Sequence, residues 1–268
     1  MLNRKYYYFI AAFFQILSSY IILPIFLNNV SLAEYGKYFI ALAFSGFFSL
    51  LVVFGLTNVI NAYYSYWKSK NLVYEIFTRL TVQIYLHFLI FLSFFFFINL
   101  FISILFDIDN YLTLAVLIFG FSQGMQSFFN TFLRFHDLAL PFFISMLVFV
   151  CIEFLIKFYF LTRMEYSLES YLYVSCIPFL IVYLSMNIFM IFRYGIKYKF
   201  KKYALRVYYR YAFNMLKANI IGKSLSIIER PFIGFMFNPE VLGVYAIAHK
   251  YNSSIGTLRS MIKNIWLP

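Results

Sequence analysis

Apolar stretches of about 20 residues recur along the whole chain, separated by short connections that carry Pro, Asn and Asp. A helix needs about that length to cross the ~30 Å hydrocarbon core of a bilayer. The pattern predicts eight spans, at about 6–28, 38–62, 80–105, 111–133, 140–162, 168–192, 213–237 and 241–262. The expected fold class is an all-α membrane protein, a polytopic bundle of about eight transmembrane helices. The first apolar run, Tyr6 to Leu27 behind Arg4 and Lys5, is longer than a signal-peptide core of roughly 7–15 residues. No small-residue cleavage site follows it, so it reads as a span.

Composition supports the same class. Hydrophobic residues make up 63% of the 268 positions, charged residues only 12%, and mean hydropathy is +0.81. A soluble domain could not build a polar surface from so few charges. The net charge of +12, which in another context would suggest nucleic acid, is better explained here by topology: basic loops stay in the cytoplasm. With the N-terminus placed inside, sixteen Lys and Arg residues fall on the cytoplasmic side. Only Lys37 and Arg163 fall outside, where Asp107, Asp109, Glu165, Glu169 and Glu240 also lie. One missed span would invert every later loop, so this asymmetry supports both the count and a cytoplasmic N-terminus.

The segment Arg193–Lys217 is the longest polar stretch and carries eight of the basic residues. It suggests three regions: a six-helix lobe over 1–192, a basic cytoplasmic loop over 193–212 at anionic lipid, and the first two helices of a second lobe over 213–268. An internal repeat fits this division. Pro24–Phe44 aligns without gaps on Pro231–Tyr251, an offset of 207 residues. Pro24, Gly36, Tyr38, Ile40 and Ala41 match Pro231, Gly243, Tyr245, Ile247 and Ala248. Six spans separate the copies, so both keep the same orientation, a parallel repeat. A complete second copy would run well beyond Pro268, and the expectation is a truncated form.

Six ionisable side chains fall at membrane depth: Glu153, Lys157, Lys223, Glu229, Arg230 and Lys250. Each costs about 2.5–3.5 kcal/mol at a helix centre, which favours a cavity or mutual pairing. Glu153 and Lys157 sit at i, i+4 and can neutralise each other as an internal ion pair, with Glu229 as a further acid. Asn219, Lys223, Ser226 and Arg230 follow i, i+4, i+7, i+11 and form one polar stripe on the seventh span. Lys250 follows on the eighth. An anion-facing cavity and simple snorkelling both account for these cations. Gln123, Gln126, Asn130 and Arg134 stripe the fourth span, beside Gly120-x-x-x-Gly124, which permits close helix contact. Interhelical hydrogen bonding and a hydrated path are both open there. Gln15, Ser18 and Ser19 on the first span and Asn58 and Asn61 on the second are weaker signals of interhelical bonding. Cys151 and Cys176 fall inside spans and suggest apolar filler, and no metal-ligand spacing, nucleophile motif or cofactor motif is present. No cofactor and no enzymatic activity are expected.

The segments LPIFLNNVSLAEYGKYFIALAF (23–44) and GLTNVINAYYSYW (55–67) resemble the opening of bacterial polysaccharide-biosynthesis membrane proteins. IIERPFIGFMFNPEVLGVYAIAHKY (227–251) and IKNIWLP (262–268) look like that family's seventh and eighth spans. These are the Wzx-type O-antigen flippases, carriers of lipid-linked oligosaccharides in the superfamily that includes the multidrug and toxin extruders. The resemblance implies two six-helix lobes around a central cavity and alternating access. It also implies a polyprenyl-diphosphate-linked O-antigen or capsule unit as substrate, with membrane lipids and polysaccharide-assembly proteins as partners. It makes Lys223, Arg230 and Lys250, with Asn219 and Ser226, candidates for the diphosphate headgroup. A membrane polymerase or acyltransferase of the same pathway, and a multidrug extruder, are the alternatives. The outside loops are too short for a catalytic domain, and the cavity charge is basic where cationic drugs want acids.

Overall fold

The computed structural model describes residues 4–94, 97, 110–135, 138–194 and 202–266. Among them only helices occur: α1 (Arg4–Asn29), α2 (Leu32–Val53), α3 (Leu56–Ser69), α4 (Val73–Ser93), α5 (Asn110–Phe135), α6 (Ala139–Arg163), α7 (Leu168–Phe179), α8 (Ser185–Tyr194), α9 (Lys202–Met236) and α10 (Pro239–Trp266). A π-helical turn, Leu180–Leu184, joins α7 to α8. Six stretches are long and apolar enough to cross a membrane: Phe9–Asn29, Leu32–Val53, Val73–Ser93, Tyr111–Phe135, Leu140–Arg163 and Leu168–Phe189. They overlap the first six expected spans, and residues 98–105 of the third lie outside the described residues. α9 and α10 have the length but are more polar, because the ionisable residues of the second repeat copy lie on them.

Two of the expected elements differ. The second span, expected unbroken over 38–62, stops at Val53. Phe54 and Gly55 both take left-handed backbone, with φ of 52° and 74°, and α3 starts afresh at Leu56. Such a break strands carbonyls that lipid cannot satisfy. The carbonyl of Val52 is met by Nδ1 of His87 at 2.9 Å. A Cβ on Gly55 would also overlap the carbonyl oxygen of Ala212. Gly55→Ala is therefore expected to cost roughly 2 kcal/mol, from strain and overpacking together, read as a lowered thermal midpoint in detergent. The second difference is the expected loop over 193–212, where residues 202–212 are helical. Tyr208, Ala212 and Leu216 are buried at helical spacing, while Arg206 and Arg210 are exposed. The segment folds because it has an apolar face, which its charge density obscured. The expected turn acids Asp107 and Asp109, and Lys197, Lys199 and Lys201, lie outside the described residues.

The chain forms two compact units, each built from separated segments. The first is Met1–Ala43, Asp137–Pro178 and Ile228–Pro268; the second is Phe44–His136 and Phe179–Ile227. α2 and α9 each contribute to both units.

In the first unit α1 lies along α6 and touches α10. Its core is aromatic: Phe26 is buried beneath the edges of Tyr35, Tyr166 and Tyr171, with ring centroids 5.0–5.5 Å apart. The two repeat copies meet here reciprocally. A Cβ on Gly36 would overlap the Pro239 carbonyl oxygen, and one on Gly243 would overlap the Leu32 carbonyl oxygen. Residues 32 and 239 are themselves 207 apart, so exchanging the copies maps one contact onto the other, as a local two-fold requires. The helix starts match as well. Ser31 caps α2 in a capping box, its hydroxyl accepting from the Glu34 N–H at 3.2 Å while the Glu34 carboxylate accepts from the Ser31 N–H at 3.2 Å. Its counterpart Asn238 caps α10, Oδ1 accepting from the Val241 N–H at 2.7 Å.

In the second unit α3 and α4 pack on α5. Phe77 stacks on Phe132 at 3.7 Å, and the Trp67 indole N–H donates to the Tyr208 hydroxyl at 2.9 Å. Gly120 and Gly124 admit α2 closely, at the backbone of Ser45 and the side chain of Val53.

Candidate functional site

The first unit holds a partly open cavity of about 450 Å³. Five helices supply its charged and polar wall. Glu153 and Lys157 come one turn apart from α6, and Arg230 comes from α9. His249, Lys250 and Ser253 come from α10, Gln15, Ser18 and Ser19 from α1, and Tyr38 and Phe39 from α2. Tyr171 of α7 and Phe26 of α1 form an aromatic floor.

Each charged group is held in a definite way. The Lys157 ammonium donates to the Glu153 carboxylate, their side chains 10% and 19% exposed, and it lies 5.7 Å from the Tyr171 ring centroid. The Arg230 guanidinium lies 4.2 Å over the face of Phe39. A cation over an aromatic face is stabilised by the ring quadrupole, by about 0.5–2 kcal/mol depending on desolvation, without consuming its N–H donors. The Lys250 ammonium donates to the Ser19 carbonyl at 2.8 Å, bridging the two repeat copies. Glu229 accepts a hydrogen bond from the Tyr245 hydroxyl. Three cations thus line the cavity with one carboxylate, Glu153, and Glu229 stands within electrostatic reach of Arg230.

The repeat shows how asymmetric this charge is. Glu229, Arg230, His249 and Lys250 stand 207 positions after Ile22, Leu23, Leu42 and Ala43. A two-fold backbone therefore carries a charged half and an apolar half.

The sequence-derived candidates separate. Arg230 and Lys250 meet in the cavity together with the Glu153–Lys157 pair. Glu229 is bound to Tyr245 and lies outside the described lining. Lys223 is exposed, and neither it nor Asn219 lines the cavity; both belong to the second unit. The side chain of Ser226 lies outside the described residues. The stripe at i, i+4, i+7, i+11 is real as helix geometry but is not one site. In the fourth-span stripe, Asn130 accepts from the Tyr183 hydroxyl at 3.5 Å, interhelical bonding of the kind polar residues make in membranes. Cys151 is exposed and Cys176 is buried. Residue patterns alone missed Phe39, Tyr38 and Tyr171, because an aromatic in so aromatic a chain carries no signal until a cation is placed on it. Gln15, Ser18 and Ser19 were visible as a polar patch and are part of the wall.

Comparison with protein-family models, with curated proteins and with solved structures found no match.

Proposed function

We propose that this protein is an eight-span protein of the bacterial inner membrane with a cytoplasmic N-terminus, and that it translocates a lipid-linked oligosaccharide by alternating access. The cavity of the first unit receives the diphosphate of a polyprenyl-diphosphate carrier. The observation that carries this reading is the grouping of Lys157, Arg230 and Lys250 against the single carboxylate of Glu153. A cavity at membrane depth lined by three cations and one carboxylate is matched by an anionic ligand, and a lipid diphosphate is such a ligand. The cavity also accounts for α9 and α10 as spans. Their polar residues Arg230, His249 and Lys250 face it rather than lipid, which lowers the cost of crossing. The resemblance of segments 23–44 and 227–251 to oligosaccharide flippases points the same way.

The test is the double variant Arg230→Ala, Lys250→Ala in cells whose surface polysaccharide depends on this protein. Each cation supplies charge-assisted hydrogen bonds worth about 1.5–3 kcal/mol. The pair should therefore weaken headgroup binding by roughly a hundredfold or more, and surface polysaccharide should be lost at unchanged protein abundance. Wild-type polysaccharide display by the double variant would sink the headgroup role.

A further inference from the structure

The cavity's one described acid stands where a ligand would be rivalled by it. Glu153 lies one helical turn from Lys157 and already takes a hydrogen bond from its ammonium. Around this carboxylate stand Lys157 from its own helix, Tyr38 from α2, Tyr171 from α7 and Lys250 from α10; Arg230 of α9 and His249 of α10 line the same cavity. α1 contributes only neutral groups, Gln15, Ser18 and Ser19.

Resting on the anion-cavity reading above, we propose that Glu153 is a built-in competitor for the cavity's cations, and that an anion is admitted together with a proton on Glu153. An anion that reaches Lys157 is brought beside the carboxylate that Lys157 holds. Two like charges sharing a desolvated site disfavour each other strongly, and the economical outcome is protonation of one of them. The step is simple in its balance. A proton from water joins the Glu153 carboxylate to give the carboxylic acid, no bond to the ligand forms or breaks, and the proton returns to water when the anion leaves. The protonated acid then offers an O–H donor to the ligand where the carboxylate offered only repulsion. Lys250, whose amine donates to the Ser19 carbonyl, and His249 are the other groups that could take the proton. The His249 ring lies 5.4 Å from Phe39, the ring that carries Arg230 on its face, so a charged His249 would sit beside a fixed cation. Glu153 on taking the proton gives up the attraction of Lys157 and Lys250, which the bound anion takes over.

The experiment is isothermal titration calorimetry of the full chain in nanodiscs with sodium sulfate, a dianion that does not itself titrate near neutral pH. It is run between pH 6 and 8 in two buffers with different heats of ionisation. The wild type should take up a substantial fraction of a proton per sulfate, with affinity falling as pH rises. Glu153→Gln should bind at least about tenfold more tightly at the upper pH and take up no proton, since its rival charge is gone. Glu153→Asp keeps the charge and should keep the uptake, and His249→Gln should leave it unchanged. Sulfate binding without proton uptake in the wild type overturns the coupling and leaves the anion cavity standing, a result that needs no variant to fold. Uptake that survives Glu153→Gln overturns the assignment to Glu153, whether His249 or Lys250 then takes the proton. No sulfate binding by the wild type or by Glu153→Gln at any pH overturns the anion cavity, and the coupling with it.

Discussion

Replacing Lys157 with alanine is expected to destabilise the protein by about 3 kcal/mol, the cost of leaving a half-buried carboxylate without its cation. Lys157 is buried, and its partner Glu153 is on the same helix, so the loss cannot be relieved by the two helices moving apart. Tyr38 and Tyr171 beside the pair are neutral phenols and cannot replace the missing charge. The expected reading is a thermal midpoint lowered by roughly 10 °C in detergent, using about 2–4 °C per kcal/mol. The double variant Glu153→Gln, Lys157→Met removes both charges and should recover most of that loss, because a neutral pair has no desolvated charge to compensate. A single variant as stable as the wild type would show that the pair is solvated in the folded protein.

Gly36→Ala and Gly243→Ala are each expected to cost about 3 kcal/mol, at the upper end of overpacking effects. The reason is what the new methyl group meets. At Gly36 it is the backbone of Pro239, and at Gly243 the backbone of Leu32, neither of which can rotate aside as a side chain would. Both sites belong to one reciprocal contact, so the double variant should cost less than the sum of the singles: once the helices have separated, the second methyl meets less. Gly222 on α9 serves as the control, having nothing within 4 Å of a built Cβ. Gly222→Ala should stabilise by about 0.5–1 kcal/mol through backbone entropy alone. Thermal midpoints of the four variants in one detergent decide the matter. Equal effects at positions 36 and 222 would contradict the close approach of α2 and α10.

The repeat was legible as five identities in a biased composition, and the structure gave them a common cause. Gly36 and Gly243 match because each lets the other copy's helix start come close, and Ser31 and Asn238, which are not identical, match because both cap a helix. The Glu153–Lys157 pair was legible because i, i+4 is a local spacing. The Lys223–Arg230 stripe was equally legible, and misleading, because sharing a helix face does not mean sharing a neighbour over the length of a 35-residue helix. The interruption at Phe54–Gly55 was not legible. Its immediate neighbours Phe54 and Leu56 are apolar, and a single glycine between them does not announce left-handed backbone.

Sequence alone determined the class of this protein, since 63% hydrophobic residues in recurring 20-residue runs have no solvent but lipid. It also determined what operates within one or two turns of a helix, as in the i, i+4 ion pair of Glu153 and Lys157. Tertiary structure alone decided which cations share a cavity, seating Arg230 on Phe39 and Lys250 on the Ser19 carbonyl while leaving Lys223 out. The physical reason lies in the bilayer. Within a helix, 3.6 residues per turn dictates which residues are neighbours, but between helices lipid rewards no apolar face over another. The choice of partner then rests on small residues, close backbone approach and a few polar contacts, whose meaning appears only once the helices are packed.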